Sequence, residues 1–143
     1  MIIGIDPGAK GAIAWKLDTH VDTFKMPDTP TDIFSELMDL RSGSRGVTCV
    51  LESAGFHVAG NNASASCKFA RHCDHVEMAL IAAGIPFESI HPTKWMKHLG
   101  AMPKDKAERK RHIKDLMQRL YPHIDVTLIN ADALGILTWA TRQ

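Results

Sequence analysis

The sequence predicts an α/β domain, and three observations point there. Three short strand-like segments broken by turn residues open the chain, at 1–6, 11–17 and 20–25. Residues 47–51 form a nearly unbroken apolar run, the pattern of a strand covered on both faces. Segments with helical apolar spacing separate and follow these strands. Taken in order, Pro7-Gly8 breaks the first strand, and the next two complete a meander. Thr31 or Asp32 is the expected cap of a helix whose apolar face is Ile33, Phe34, Leu37, Met38 and Leu40, stopped by Ser42-Gly43-Ser44. After the fourth strand, Asn61 or Asn62 is expected to cap a long helix running to Ala83 and ended by Gly84. A fifth strand over 85–90, a short helix over 93–99 closed by Gly100, a basic helix over 103–120 and a last helix over 130–141 complete the order. There is no internal repeat and no low-complexity linker.

At 143 residues and 45% apolar content, the chain suffices for one core and is too short for two ordinary domains, so residues 1–143 are expected to form a single domain. No stretch has the pattern of a signal peptide, and no apolar run approaches the roughly 20 residues a membrane span requires. The expected location is the cytoplasm, with no membrane partner. Cys49, Cys67 and Cys73 are odd in number and follow no disulfide or zinc spacing, which fits free thiols in a reducing compartment. The helix carrying Cys67, His72, Cys73 and His75 lacks the paired ligands of a closed zinc site. Net charge is only +1, yet bases greatly outnumber acids between Lys94 and Arg119.

Three acids stand at element edges far apart in the chain: Asp6 in Gly4-Ile5-Asp6-Pro7-Gly8, Glu52 in Leu51-Glu52-Ser53, and Asp132 in Asn130-Ala131-Asp132-Ala133-Leu134. Each has a bland reading, as a turn residue, a solvated strand end or a helix N-terminal acid. Brought together, they suit hard cations and phosphate chemistry. Phosphodiester hydrolysis needs an activated water, neutralisation of a pentavalent phosphate and a stabilised leaving oxygen, and two Mg²⁺ ions about 4 Å apart supply all three. Carboxylates are natural ligands for such ions. Asp6 would bridge both, Glu52 would hold one, and Asp132 the other.

With Asn61 to Arg71, Pro92-Thr93-Lys94-Trp95-Met96-Lys97 and Lys104-Asp105-Lys106, these motifs give a chain that resembles, over nearly its whole length, the ribonuclease-H-like superfamily and specifically the RuvC-like Holliday junction resolvases, including small phage-type members. The resemblance implies a ribonuclease-H-like fold with a central mixed five-stranded sheet flanked by helices. It implies a dimeric endonuclease, two Mg²⁺ per active site with Mn²⁺ able to substitute, and 5′-phosphate products from four-way or other branched DNA. A two-fold homodimer matches the two equivalent strands of a junction, and the long helix is the expected interface. A bacterial cell, with a phage or prophage gene, is the implied setting. Lys97 and Lys106 fall where the family places lysines near the scissile phosphate. Phe56 falls close to where it carries an aromatic that stacks on an unpaired base. Lys68, Arg71, Lys94 and Lys104 are further expected DNA contacts, through phosphate neutralisation. Trp95, Trp139 and Tyr121 are assigned to packing.

The family carries a further acid, or a histidine, about one helical turn before the last aspartate. Here that stretch reads Thr127-Leu128-Ile129-Asn130. Asn130 is the candidate fourth ligand through its amide oxygen, although as the expected helix cap it has a competing use. A structure-specific junction-binding protein without activity, or a broader debranching nuclease, remain open alternatives. An actin-like ATPase reading of Asp6-Pro7-Gly8-Ala9-Lys10-Gly11 is discounted, since the chain is too short for a two-domain nucleotide cleft.

Overall fold

The computed structural model describes residues 1–53 and 63–142. Five strands, β1 (Ile2–Asp6), β2 (Ala12–Leu17), β3 (His20–Lys25), β4 (Thr48–Glu52) and β5 (Phe87–Ile90), form one sheet in the order β3-β2-β1-β4-β5. β1 pairs antiparallel with β2 and β2 with β3, while β4 lies parallel to both β1 and β5. The sheet is therefore mixed, with a meander on one side and crossover connections on the other. Five helices complete the chain: α1 (Pro30–Ser42), α2 (Ala63–Ala82), α3 (Pro92–His98), α4 (Lys106–Leu120) and α5 (Ala131–Ala140).

Strand alternation sends neighbouring side chains to opposite faces. Ile3, Ile5, Ile13, Cys49 and Leu51 face α1 and α2, where Ile33, Leu37, Val76, Ala79 and Leu80 complete one core. Ala12, Ala14 and Val50 face the other way, into a core built with Trp95, Ile113, Met117 and nearly all of α5. That second face is made of small residues for a reason. A methyl group on Gly4 would lie 2.6 Å from the Leu137 nitrogen and 2.9 Å from the Ala133 oxygen, so α5 rests directly on β1. With Ala131, Ala133, Leu134, Ile136 and Leu137 all buried, α5 is an interior helix.

Several boundaries differ from expectation. The cap of α1 is Thr29 rather than Thr31 or Asp32. Its hydroxyl accepts from the Asp32 backbone N–H at 3.1 Å and donates to the Asp32 carboxylate at 2.7 Å, and Pro30 supplies the pre-set first turn. Of its expected apolar face Ile33 and Leu37 are buried, whereas Met38 is exposed. β5 begins at Phe87 rather than 85. α4 begins at Lys106 rather than 103, because Asp105 accepts from the N–H groups of Ala107 and Glu108 and so fixes the start. β4 runs through Glu52, one residue past the apolar run, and this places that carboxylate on the sheet rather than in a loop. The expected caps Asn61 and Asn62, and Phe56, lie outside the described residues. No helix among the described residues is long and apolar enough to cross a membrane.

Candidate active site

Asp6 and Glu52 are the last residues of two adjacent parallel strands. Ile5 pairs with Leu51, so the residues that follow them end side by side. Both have even positions on their strands, shared with Gly4 and Val50, and therefore project to the face covered by α5. Asp132 sits in the first turn of α5, which meets β1 at that same end. Strand alternation and one helix start thus bring the three acids to a single cleft of about 520 Å³. Its rim is cationic: Lys10 from the β1–β2 turn and Lys106, Arg109 and Lys110 from the start of α4.

Hydrogen bonds orient Asp6 and Glu52, and an ion pair faces Asp132. Asp6 accepts from the Gly8 backbone N–H at 3.2 Å. Glu52 Oε2 accepts from Trp95 Nε1 at 2.9 Å. Lys110 Nζ stands 3.7 Å from Asp132 Oδ2. Burial nonetheless dominates the electrostatics. It raises the Asp6 carboxyl to about 6, against the lowering by its bond from Gly8, with the Asp132 charge adding to the rise. Burial and then the neighbouring Asp6 raise Glu52 to about 8, against the pull of Trp95. Asp132 is raised by burial too, while Lys110 and Arg109 act to lower it. The acids are held together without enough positive charge, the condition that a bound cation relieves.

Among the described residues, no three His, Cys, Asp or Glu side chains close tightly enough to hold a metal ion between them. The donor set still fits a hard divalent cation. It is all carboxylate oxygen, partly desolvated and short of countercharge, and Mg²⁺ is ordinarily held by one or two carboxylates together with water and substrate phosphate.

The other expected site residues are placed as follows. Asn130 flanks α5 as its cap but makes no capping bond. Its amide oxygen accepts from the Thr127 backbone N–H at 2.7 Å and from the Thr127 hydroxyl, and its amide nitrogen donates to the Asp125 carbonyl. Both lone pairs of that oxygen are engaged within the loop, a use that competes with the ligand role expected of Asn130. Lys68 and Arg71 stand exposed on α2. Lys94 lies over the Trp139 ring at 5.0 Å, a cation–π contact that ties it to the protein. Lys97 borders an adjoining groove that shares Met96 and Arg109 with the acidic cleft. Lys104 is exposed before α4, its carbonyl accepting from Arg109.

Two residues gain a place that sequence reasoning did not give them. Trp95 is buried, as expected of a packing residue, but it is also the hydrogen-bond donor to Glu52. Gly135 makes room for it: a methyl group there would lie 2.6 Å from the Trp95 ring. Lys110 is the other. Lys106, Arg109, Lys110, Ile113 and Met117 follow helical spacing along one stripe, and with Ile113 and Met117 buried in the core its basic end, still solvent-exposed at Lys106 and Lys110, lines the cleft. The signal was present but hidden within a run of bases on all sides of the helix.

A mixed five-stranded sheet in this order, flanked by helices on both faces and with acids at adjoining strand ends, defines the ribonuclease-H-like fold. Two solved structures are similar over nearly the whole chain. Thermus thermophilus RuvC is 19% identical with a TM-score of 0.60, covering 99% of this chain and 95% of its own. T. thermophilus RuvC in complex with Holliday junction substrate is 18% identical with a TM-score of 0.64, covering 99% and 94%. No protein-family model matches the chain, and no curated protein matches it in sequence.

Proposed function

We propose that this chain is a divalent-metal-dependent endonuclease that resolves Holliday junctions or related branched DNA by paired phosphodiester hydrolysis, as a homodimer, leaving 5′-phosphate ends. The observation that supports the reading most is the convergence of Asp6, Glu52 and Asp132 in one cation-rimmed cleft, on a fold shared with a RuvC solved on Holliday junction substrate. Asp6, Glu52 and Asp132 are the proposed metal ligands. When bound, divalent metal supplies charge neutralisation and a water of lowered pKa.

The chain's own groups do the rest. Gly8 and Trp95 hold the Asp6 and Glu52 carboxylates in place. Lys106 and Arg109 stand where a phosphate entering the cleft would meet positive charge. Lys97, Lys104, Lys68 and Arg71 extend that charge outward as sequence-independent contacts. Lys94 is a weaker candidate than its sequence position suggests, because the Trp139 face already engages it. Phe56 is proposed as the aromatic that stacks on a base at the opened crossover. The exposed Met78 and Ile81 on α2 suit the proposed dimer contact.

The test is incubation with an immobile four-way junction and a matched duplex in Mg²⁺, Mn²⁺ or EDTA, alongside Asp6→Asn. Symmetric metal-dependent nicks in the junction alone, lost in the variant, are expected. Tight junction binding without cleavage in either metal would instead make this a binding protein.

A further inference from the structure

Resting on the nuclease reading, we propose that the groove beside the acidic cleft seats the base of a nucleotide flanking the scissile phosphate, with Met102 as its apolar floor. The cut strand is then gripped twice, by its phosphate at the acids and by one base next door.

Continuity carries the argument first. A groove of about 480 Å³ runs between α3 and the start of α4, lined chiefly by Met96, Lys97, Gly100, Met102, Pro103 and Arg109. Met96 and Arg109 line the acidic cleft as well. A strand whose phosphate lies at Asp6, Glu52 and Asp132 therefore has this groove within reach of its next nucleotide.

The two neighbours differ in chemistry. The cleft joins three carboxylates to Lys10, Lys106, Arg109 and Lys110. The groove is largely apolar, and Lys97 and Arg109 are the charged residues in its lining. Backbone phosphate seeks the cations, whereas an apolar trough takes the flat face of a base. Lys97 and Arg109 are then free to meet the phosphates on either side of that base. The volume falls within the range of about 300–1,000 Å³ usual for small-molecule sites.

The wall of the groove is held by its own bonds. Arg109 Nη1 donates to the Pro103 carbonyl at 3.3 Å and to the Lys104 carbonyl at 3.1 Å, which ties the loop between the helices to α4. At the other end, the Gly100 N–H donates to the Lys97 carbonyl at 3.2 Å and the chain turns at φ +110°, a conformation that side chains rarely adopt. A methyl group on Gly100 would meet nothing within 4 Å, so glycine serves the turn and the space above it is open. Met96 and Met102 rest on the core that holds Trp95 and α5. Their flexible thioethers suit contact with an aromatic ring.

Cleavage of immobile four-way junctions carrying a single abasic residue, placed in turn at each position flanking the cut, tests this. The ratio of kcat/KM on the intact junction to that on each abasic junction is read within one variant, so a lowered folded fraction cancels. In wild type, one flanking position is expected to cost about 10-fold, the scale of one stacked base. Met102→Ala should lower that ratio several-fold toward 1, as should Met102→Gln, which is similar in size but polar, while Met102→Leu should keep it. A ratio near 1 at every flanking position in wild type overturns the inference and leaves the nuclease reading intact. So does a penalty that Met102→Ala and Met102→Gln leave in full, since it then belongs to another contact. Absence of metal-dependent cleavage of the intact junction by wild type overturns the nuclease reading itself.

Discussion

Trp95 shows how one side chain serves both core and site. Its ring is buried against α5 and its indole N–H reaches the Glu52 carboxylate, so the position that packs the helix also aims the proposed ligand. Trp95→Phe keeps most of the packing and deletes the donor. Partners of metal ligands typically contribute 10–100-fold to affinity or activity, and a loss of about 10-fold or more in Mn²⁺ affinity is expected by calorimetric titration. Gly135→Ala acts on the same pair from behind and should cost about 1–3 kcal/mol in denaturant unfolding through overpacking against the Trp95 ring. The carboxyls also set a pH dependence. Asp6 and Glu52 are raised in the folded protein, so between about pH 4 and 8 the native state binds more protons than the unfolded chain. Stability of the metal-free protein must then fall as pH rises through that window. Thermal unfolding from pH 5 to 8.5 is expected to show this decline, and added Mg²⁺ to restore more stability at the upper end, since binding there displaces fewer protons.

At the scale of elements, the contact between β1 and α5 positions everything else. Both carry part of the site, Asp6 on one and Asp132 on the other, and only the missing side chain at Gly4 allows them to touch. Gly4→Ala would push backbone against backbone at Leu137 and Ala133, where no side chain can turn aside. Its cost in unfolding free energy should exceed that of Gly135→Ala, and metal binding should weaken because the two acids move apart. Helix starts were legible only where the capping residue had no rival. Asp105 shortened α4 because its carboxylate reaches two backbone N–H groups, a fact of geometry that the preceding Pro103 obscured. Thr29 won over Thr31 and Asp32 because Pro30 fits the first helical position.

Across the whole molecule the near-neutral net charge conceals a division into an acidic cleft and a basic surround. Junction affinity is expected to fall steeply with salt, roughly in proportion to the phosphates engaged. Lys106→Ala, at the cleft rim, should lower the slope of log affinity against log salt by about 1, equally for junctions of different sequence. A slope unchanged from wild type would remove Lys106 from the DNA path. Much of the architecture was readable in advance. Five strands and five helices appear in the expected order because apolar periodicity and turn residues are local properties, and Asp6, Glu52 and Asp132 could be singled out because each stands at an element edge.

What the sequence by itself determined is therefore the order of elements, the alternation that sends Asp6 and Glu52 to one sheet face, and the absence of a second acid beside Asp132. The tertiary structure alone decided which base enters the acidic cleft, which aromatic holds Glu52, and that the Asn130 amide is engaged within its own loop. Those outcomes depend on the roll of α4 and α5 against the sheet, set by the fit of Ile113, Met117 and Leu134 into a face kept small by Gly4, Ala12 and Ala14. Such a fit is a relation among distant residues, and local spacing does not encode it.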